Sequence, residues 1–274
     1  MMLLPVLLDS SAVRLFAIRD PSAELFNAWA RDQGIAPVLS PITAIEILKA
    51  FRQNVFHSEA ARRCSWVLGL ENRHFTSDAA SALMSELNGT CKYASRADLF
   101  EQKEIEDDLY LASLGQVKRS SIDLALQHIR VGQEITEDRS AEINSDPTLQ
   151  LLRSAKSYPD SLSCFDLQSV ARQVLEDVCF RHQISKTPDQ LDRVLTAVEE
   201  RPTVVPVSCG IVRVNMYSNW FAAKHGRLTG QDDLKIMIPA LSMKAVITND
   251  KRFLKRGQDI FPEVEWQTPT AELI

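Results

Sequence analysis

Carboxylate side chains follow two of the short apolar runs in this chain. Asp9 comes directly after the run 5–8, and Asp250 comes shortly after the run 245–248. Short apolar runs with polar residues on either side predict buried strands. In open parallel α/β sheets, ligands bind beyond the carboxyl ends of the strands. We therefore expect Asp9 and Asp250 to project into one crevice if the two strands are neighbours.

A third carboxylate, Glu46, lies in an apolar helical segment. Ser40 and Pro41 predict the start of this helix, because a serine caps it and a proline fits its first position. Glu46 falls in the second turn, among mostly apolar neighbours. A carboxylate that faces a core must be paired or bind a cation. The alternative is a solvated helix face, which two basic residues shortly after Glu46 favour.

An acidic pair precedes the apolar run 234–243, which is long enough for a helix that Asp232 or Asp233 caps. Pro239 falls inside this run, and we expect it to kink the helix or to move its start. The choice between the two acids therefore stays open. Asp233 is favoured, because the apolar residues three and seven positions later then share its inner face.

These acids together predict a metal site. Like charges a few ångströms apart repel one another, so such a cluster requires a cation or raised pKa values. Oxygen ligands of this kind suit Mg²⁺ or Mn²⁺, and no Ser–His–Asp or Cys–His arrangement in the sequence competes with them. The alternative is that Asp9 only caps a following helix and that Asp250 only closes a turn.

Composition excludes several classes of protein. The chain has 274 residues, 45% of them hydrophobic, and a formal net charge of −5, which argues against a generally basic nucleic-acid coat protein. No apolar run approaches the ~18 residues of a membrane span. Five scattered cysteines predict reduced thiols in a cytoplasmic protein.

A polyanionic substrate would have to bind at a local basic patch, because the whole chain is acidic. Such a patch is expected near Asp250, formed by Lys244, Lys251, Arg252, Lys255 and Arg256.

Strand patterns occur near the two ends of the chain, at 5–8, 37–40, 203–207, 245–248 and 263–267. Helical patterns fill the middle, at 58–70, 77–88, 98–113, 120–130, 166–182 and 188–200. This order predicts an α/β fold in which residues 1–57 and 201–274 form one domain and residues 58–200 form a mostly helical insertion. Between 98 and 146, twelve acidic residues stand against five basic ones, which predicts a solvated surface that repels nucleic acid.

Four short motifs resemble those of the PIN domain family, in the family's order. They lie at residues 7–12, 40–46, 233–236 and 246–253. The resemblance covers 1–57 and 201–274, roughly half of the chain. It implies a PIN-like short parallel sheet flanked by helices, with acidic residues that hold Mg²⁺ or Mn²⁺ at one edge and a hydroxyl beside the last of them. By this match the acids are Asp9, Glu46, Asp233 and Asp250, and the hydroxyl belongs to Thr248.

The resemblance also implies an activity, the metal-dependent hydrolysis of single-stranded RNA, as in toxin-like or defence nucleases. The helical insertion is expected to bind a protein partner or an antitoxin, since its acidic surface would attract a basic protein. Two alternatives stay open. One is a DNA nuclease that acts on flap-like structures, and the other is a non-catalytic PIN scaffold that binds a partner through the insertion. The oligomeric state is open as well, a homodimer included, and no membrane partner is expected.

Overall fold

Five parallel strands form the centre of the structure. The computed structural model describes residues 3–52, 57–89, 99–117, 152–226 and 229–269. The strands are β1 (Leu4–Leu8), β2 (Ile35–Leu39), β3 (His74–Phe75), β4 (Ala245–Ile247) and β5 (Glu265–Gln267). Their order in the sheet is β3-β2-β1-β4-β5, and every neighbouring pair is parallel. The expected α/β fold class is thereby confirmed.

Helices flank the sheet. In chain order they are α1 (Ser10–Arg19), α2 (Glu24–Gln33), α3 (Pro41–Lys49), α4 (His57–Gly69), α5 (Ala79–Leu87), α6 (Leu99–Ser113), α7 (Tyr158–Ser161), α8 (Leu167–Arg181), α9 (Pro188–Glu200), α10 (Pro206–His225), α11 (Gln231–Met237) and α12 (Lys251–Ile260). Short 3-10 turns occupy Ala50–Arg52, Leu162–Cys164 and Ile238–Ser242. Among the described helices, none combines the length and the hydropathy needed to cross a membrane.

Both faces of the sheet are buried. Side chains alternate between the faces along a strand, so Leu7 and Val246 pack into one hydrophobic cluster with α5 and α8 to α12. Leu8 and Ile247 pack into a second cluster with α1 to α4 and α6. A parallel sheet that is covered on both sides needs apolar residues at almost every strand position. This explains why the strands appear in the sequence as continuous apolar runs.

The strand expected at 203–207 is wrong, because α10 begins at Pro206 inside that run. The backbone N–H groups of Val207 and Ser208 donate to the carboxylate of Glu86 in α5, over 2.8 and 2.7 Å. This carboxylate satisfies N–H groups that the first turn of a helix leaves without a partner. Glu86 precedes Val207 by 121 residues, so the local sequence does not show this cap, and Pro206 in the first helical position is the local signal for the helix start.

One strand of the sheet lies inside the segment 58–200. β3 pairs with β2, and Trp66 of α4 stacks on Phe16 of α1 with ring centroids 5.5 Å apart. The first part of this segment therefore helps to build the sheet and its core. The division of the chain into domains stays a prediction. The helix expected at 120–130 and most of the acidic region between 98 and 146 lie outside the described residues.

Pro239 divides the apolar run 234–243. Helix α11 ends two residues before this proline, and a 3-10 turn contains it, because proline lacks the N–H group that an α-helix needs. The expectation that one of the acids caps the helix is wrong. The N-cap residue of α11 is Gly230, and both Asp232 and Asp233 lie in the first helical turn.

Gly210 sets the distance between α10 and the 3-10 turn that follows α11. A Cβ atom here would lie 2.1 Å from the carbonyl oxygen of Ile238, so Gly210→Ala must displace the turn. We expect a free energy of unfolding lower by about 1–3 kcal/mol, measured by chemical denaturation. Gly69→Ala is the control, since its Cβ would come no closer than 3.3 Å to a neighbour. A loss for Gly210→Ala that does not exceed that of the control contradicts this account of the contact.

Candidate functional site

Asp9 is buried at the carboxyl end of β1, with 4% of its surface exposed. Its Oδ2 accepts hydrogen bonds from the Ser11 hydroxyl at 2.5 Å, from the Thr248 hydroxyl at 2.7 Å and from the Ser11 backbone N–H at 3.3 Å. The last of these bonds caps α1, as one alternative expected. The two hydroxyl contacts go beyond a cap, because they orient the carboxylate toward the end of β4.

Thr248 joins the ends of β1 and β4. Its buried hydroxyl donates to Asp9 and accepts from the backbone N–H of Asp250 at 3.1 Å. Ser11 Oγ lies 3.1 Å from Thr248 Oγ1 and accepts from the N–H of Asn249 at 2.9 Å. In the strand order β3-β2-β1-β4-β5, the connections change direction between β1 and β4. Ligands of parallel α/β sheets bind at such a switch point.

Glu46 belongs to the same region. It is half-buried on α3, and it accepts a hydrogen bond from the Ser10 side chain. The pKa of Glu46 is raised from 4.5 to about 7: burial is the main cause and the charges of Asp9 and Asp233 add to it, while the Ser10 bond and the charge of Lys49 lower it. A carboxylate that interacts with two others in this way does not belong to an ordinary solvated helix face.

Asp233, and not Asp232, faces the other acids. Burial raises the pKa of Asp233; the guanidinium of Arg256 lowers it, and the charges of Asp9 and Asp250 raise it. The Arg256 side chain, from α12, lies 2.6 Å from Asp233 Oδ2. Asp232 instead pairs with Lys49 of α3 at 2.8 Å. These contacts favour Asp233 over Asp232 as the acid that interacts with Asp9 and Asp250.

Asp250 caps α12. Its Oδ1 accepts from the backbone N–H groups of Arg252 and Phe253, over 2.7 and 3.1 Å. The side chain is exposed, and its Oδ2 meets no hydrogen-bond donor among the described residues. The structural alternative expected Asp250 to close a turn, whereas its Oδ1 caps a helix. The charge of Asp250 also acts on Asp233.

The four acids interact electrostatically with one another, but they do not form a complete metal-binding site. Within the described part of the chain, no three His, Cys, Asp or Glu side chains converge in an arrangement that could hold a metal ion. Asp9 is engaged by hydroxyls and Asp233 by Arg256. The donors are carboxylate and hydroxyl oxygens, which suit Mg²⁺ or Mn²⁺. Neighbouring acids contribute, after burial, to the raised pKa values of Glu46 and Asp233, and a cation between the acids would offset this repulsion.

The basic patch near Asp250 is mostly neutralised by local ion pairs. Arg256 pairs with Asp233, Lys255 with Asp259 at 2.6 Å, and Lys244 lies 4.0 Å from Glu265. Of the five cations expected there, Lys251 and Arg252 are the two without an ion pair to any described residue. Both are exposed at the first turn of α12.

Sequence reasoning did not assign roles to Ser10 or Ser11 at this site, and it expected Arg256 in a basic patch for phosphates and not on Asp233. The two serines directly follow Asp9, and this spacing was the available sign that their hydroxyl groups contact the acids. Arg256 gave no such signal, because its partner Asp233 is 23 residues away and on another helix.

Comparison with known proteins finds no match to a family model, to a curated protein or to a solved structure. The resemblance to PIN domains therefore rests on the four motifs and on the geometry described above.

The raised pKa of Glu46 gives a stability prediction for the metal-free protein. An acid with a folded-state pKa near 7 and an ordinary value of 4.5 destabilises the fold when it is charged. This cost is absent below the ordinary pKa and complete above the folded-state pKa. We expect Glu46→Gln to raise the free energy of unfolding by roughly 1–3 kcal/mol at about pH 8, in chelator, and by nearly nothing at about pH 4.

The control is Glu200→Gln, an exposed acid at the end of α9, which should change the free energy of unfolding by less than about 0.5 kcal/mol at either pH. Denaturant titrations at the two pH values measure all three proteins. A gain for Glu46→Gln that is the same at both pH values would assign the effect to packing and not to charge.

Proposed function

We propose that this chain is a metal-dependent endoribonuclease of PIN type, which hydrolyses phosphodiester bonds of single-stranded RNA. The observation that carries the proposal is the electrostatic interaction among Asp9, Glu46, Asp233 and Asp250 near the carboxyl ends of β1 and β4. Four acids from four elements lie near this switch point, and two of them are helix caps. Burial raises the pKa of Glu46 and of Asp233, so their charged forms destabilise the metal-free fold, which is a cost that a functional site can explain.

The PIN assignment is supported by the order of the four motifs and by the position of each acid. Asp9 and Asp250 follow neighbouring parallel strands, Glu46 lies on the helix after β2, and Asp233 lies on the helix before β4. Thr248 places its hydroxyl between the first and last of these acids, in contact with Asp9. These positions in the fold support the proposal.

In this proposal Asp9, Glu46, Asp233 and Asp250 would hold Mg²⁺ or Mn²⁺, although within the described structure no three of them converge on one position. A bound ion of this kind lowers the pKa of a water ligand and neutralises charge on a phosphate. Ser11 and Thr248 keep the Asp9 carboxylate in one orientation, so little conformational freedom is lost when a ligand binds. Lys49 and Arg256 limit the repulsion between the acids before binding.

Lys251 and Arg252 are the groups best placed for the substrate backbone. They are exposed beside Asp250 and lack ion pairs within the described chain, so they can meet phosphates at little cost. The net charge of −5 confines any polyanion to such local contacts. A cytoplasmic toxin-like or defence role, with a protein partner or antitoxin on the helical segment 58–200, completes the proposal.

Asp9→Asn tests the activity. The amide oxygen still accepts from Ser11 and Thr248, so the variant should fold and should be equally or slightly more stable without metal. We expect cleavage of labelled single-stranded RNA in Mn²⁺ to fall at least about 100-fold, while chelator abolishes cleavage by the parent protein. Asp78→Asn is the matched control, because Asp78 caps α5 in the same manner and lies outside the acidic cluster.

Three results would contradict the proposal in different ways. Cleavage by Asp9→Asn at the parent rate places the active site elsewhere. Parent protein that cleaves flap-like DNA but not RNA is a DNA nuclease. Parent protein that cleaves neither substrate with either metal is a non-catalytic scaffold.

A further inference from the structure

A cavity of about 460 Å³ lies beside the acidic cluster, beyond the carboxyl ends of β2 and β3. The residues that follow β2 and β3 form one side of it, including Ser40 and Thr76, and α8, α10 and the 3-10 turn after α11 form the others. Its volume is within the ~300–1,000 Å³ of small-ligand sites. The cavity is separate from the four acids, none of which lines it.

The cavity wall is mainly aliphatic. It includes Ile42 and Ile45 of α3, Val178 of α8, Ile211 of α10 and Ile238 of the 3-10 turn. No Phe, Tyr or Trp is among the described lining residues, and the ring of His182 is the one aromatic group there. Single-stranded nucleic acids are bound largely by stacking of successive bases on aromatic rings, and a single ring does not provide such a surface. The wall suits a flexible aliphatic chain, which gains from the removal of apolar surface from water.

One cation interrupts this wall. Lys235 of α11 lines the cavity and is half-buried, and within the described part of the chain no carboxylate lies at ion-pairing distance from its Nζ. The charge of the nearby Asp232 also acts on Lys235, but the ion pair of Asp232, at 2.8 Å, is with the Nζ of a different lysine, Lys49. An ammonium group at an aliphatic wall, with no described carboxylate in direct contact, favours an anionic group on the ligand, because a charge away from water needs a counter-charge.

Two further polar groups on the wall bear on the ligand. Asn215 accepts a hydrogen bond from Asn219 with its amide oxygen, which leaves its NH₂ group to donate to a ligand oxygen. Asp78 is the one carboxylate among the described lining residues. Its Oδ1 accepts from two backbone N–H groups of α5, and the residue is exposed at the rim, where solvent screens its charge.

We propose that this cavity binds an aliphatic monocarboxylate, with the chain against the Ile and Val side chains and the carboxylate on Lys235. The proposal goes beyond nuclease activity and does not depend on it. It predicts a ligand with one negative charge and an apolar body, since the described wall offers one lysine, mainly aliphatic side chains and a single aromatic ring, that of His182. The occupied cavity would border α3 and α11, the helices that carry Glu46 and Asp233.

Octanoate, below its micelle concentration, is the probe, and titration calorimetry on the full chain is the measurement. We expect saturable binding of one octanoate per chain. Lys235→Met keeps the length of the side chain and removes its charge, and should weaken binding at least about 10-fold. Val178→Phe should reduce binding by a similar factor, because the ring fills the cavity. Lys244→Met, an exposed lysine outside the cavity, is the matched control and should stay within about two-fold of the parent protein.

1-Octanol has the same number of carbon atoms as octanoate but no negative charge, so it tests the role of the charge without any change in the protein. It should bind the parent protein at least about 10-fold more weakly than octanoate does, and this comparison holds even if a variant fails to fold. Octanol binding as tight as that of octanoate overturns the assignment of an anion. Octanoate that does not saturate, or that binds Lys235→Met and Val178→Phe as tightly as the parent protein, overturns the site itself.

Discussion

Repulsion among carboxylates at one end of the sheet is the constraint on which the arrangement of this site depends. Parallel pairing sets Leu8 beside Ile247, so the residues that follow β1 and β4 emerge at the same edge. Asp9 and Asp250 therefore both lie at this edge. The surrounding structure meets their charge with hydroxyls from Ser11 and Thr248, and with backbone N–H groups at two helix starts.

The negative charges of the two remaining acids, Glu46 and Asp233, are compensated less completely by the surrounding groups. Lys49 and Arg256 supply positive charge near Glu46 and Asp233, yet burial still raises the pKa of both acids. The same burial that gives the sheet its two hydrophobic clusters therefore makes the acidic edge unfavourable. Close packing at Gly210 holds the 3-10 turn after α11 against α10, which fixes the helix that carries Asp233. The packing that stabilises the hydrophobic core therefore also buries Glu46 and Asp233 and raises their pKa values.

The sequence predicts the strand ends well and the helix-borne acids less well. Asp9 and Asp250 follow apolar runs, and a run that both faces of a sheet bury is a strong local signal. The choice of Asp233 over Asp232 depends on ion pairs with α3 and α12, which are remote in the chain. The expected strand at 203–207 failed for a similar reason, since Glu86 starts α10 from a distance. β3 has two residues, too few for a pattern, and the cavity at Lys235 is built from several elements that no single segment shows.

Binding of Mn²⁺, followed by the loss of its free-ion electron paramagnetic resonance signal, tests most directly whether the four acids form one cation site. The comparison is between the parent protein, Asp233→Asn and Asp232→Asn, which remove neighbouring charges that point in different directions. We predict saturable binding to the parent protein, at least about 10-fold weaker binding to Asp233→Asn, and binding to Asp232→Asn within about three-fold of the parent protein. Absence of saturable binding to the parent protein, or an equal effect of the two substitutions, would contradict a shared site.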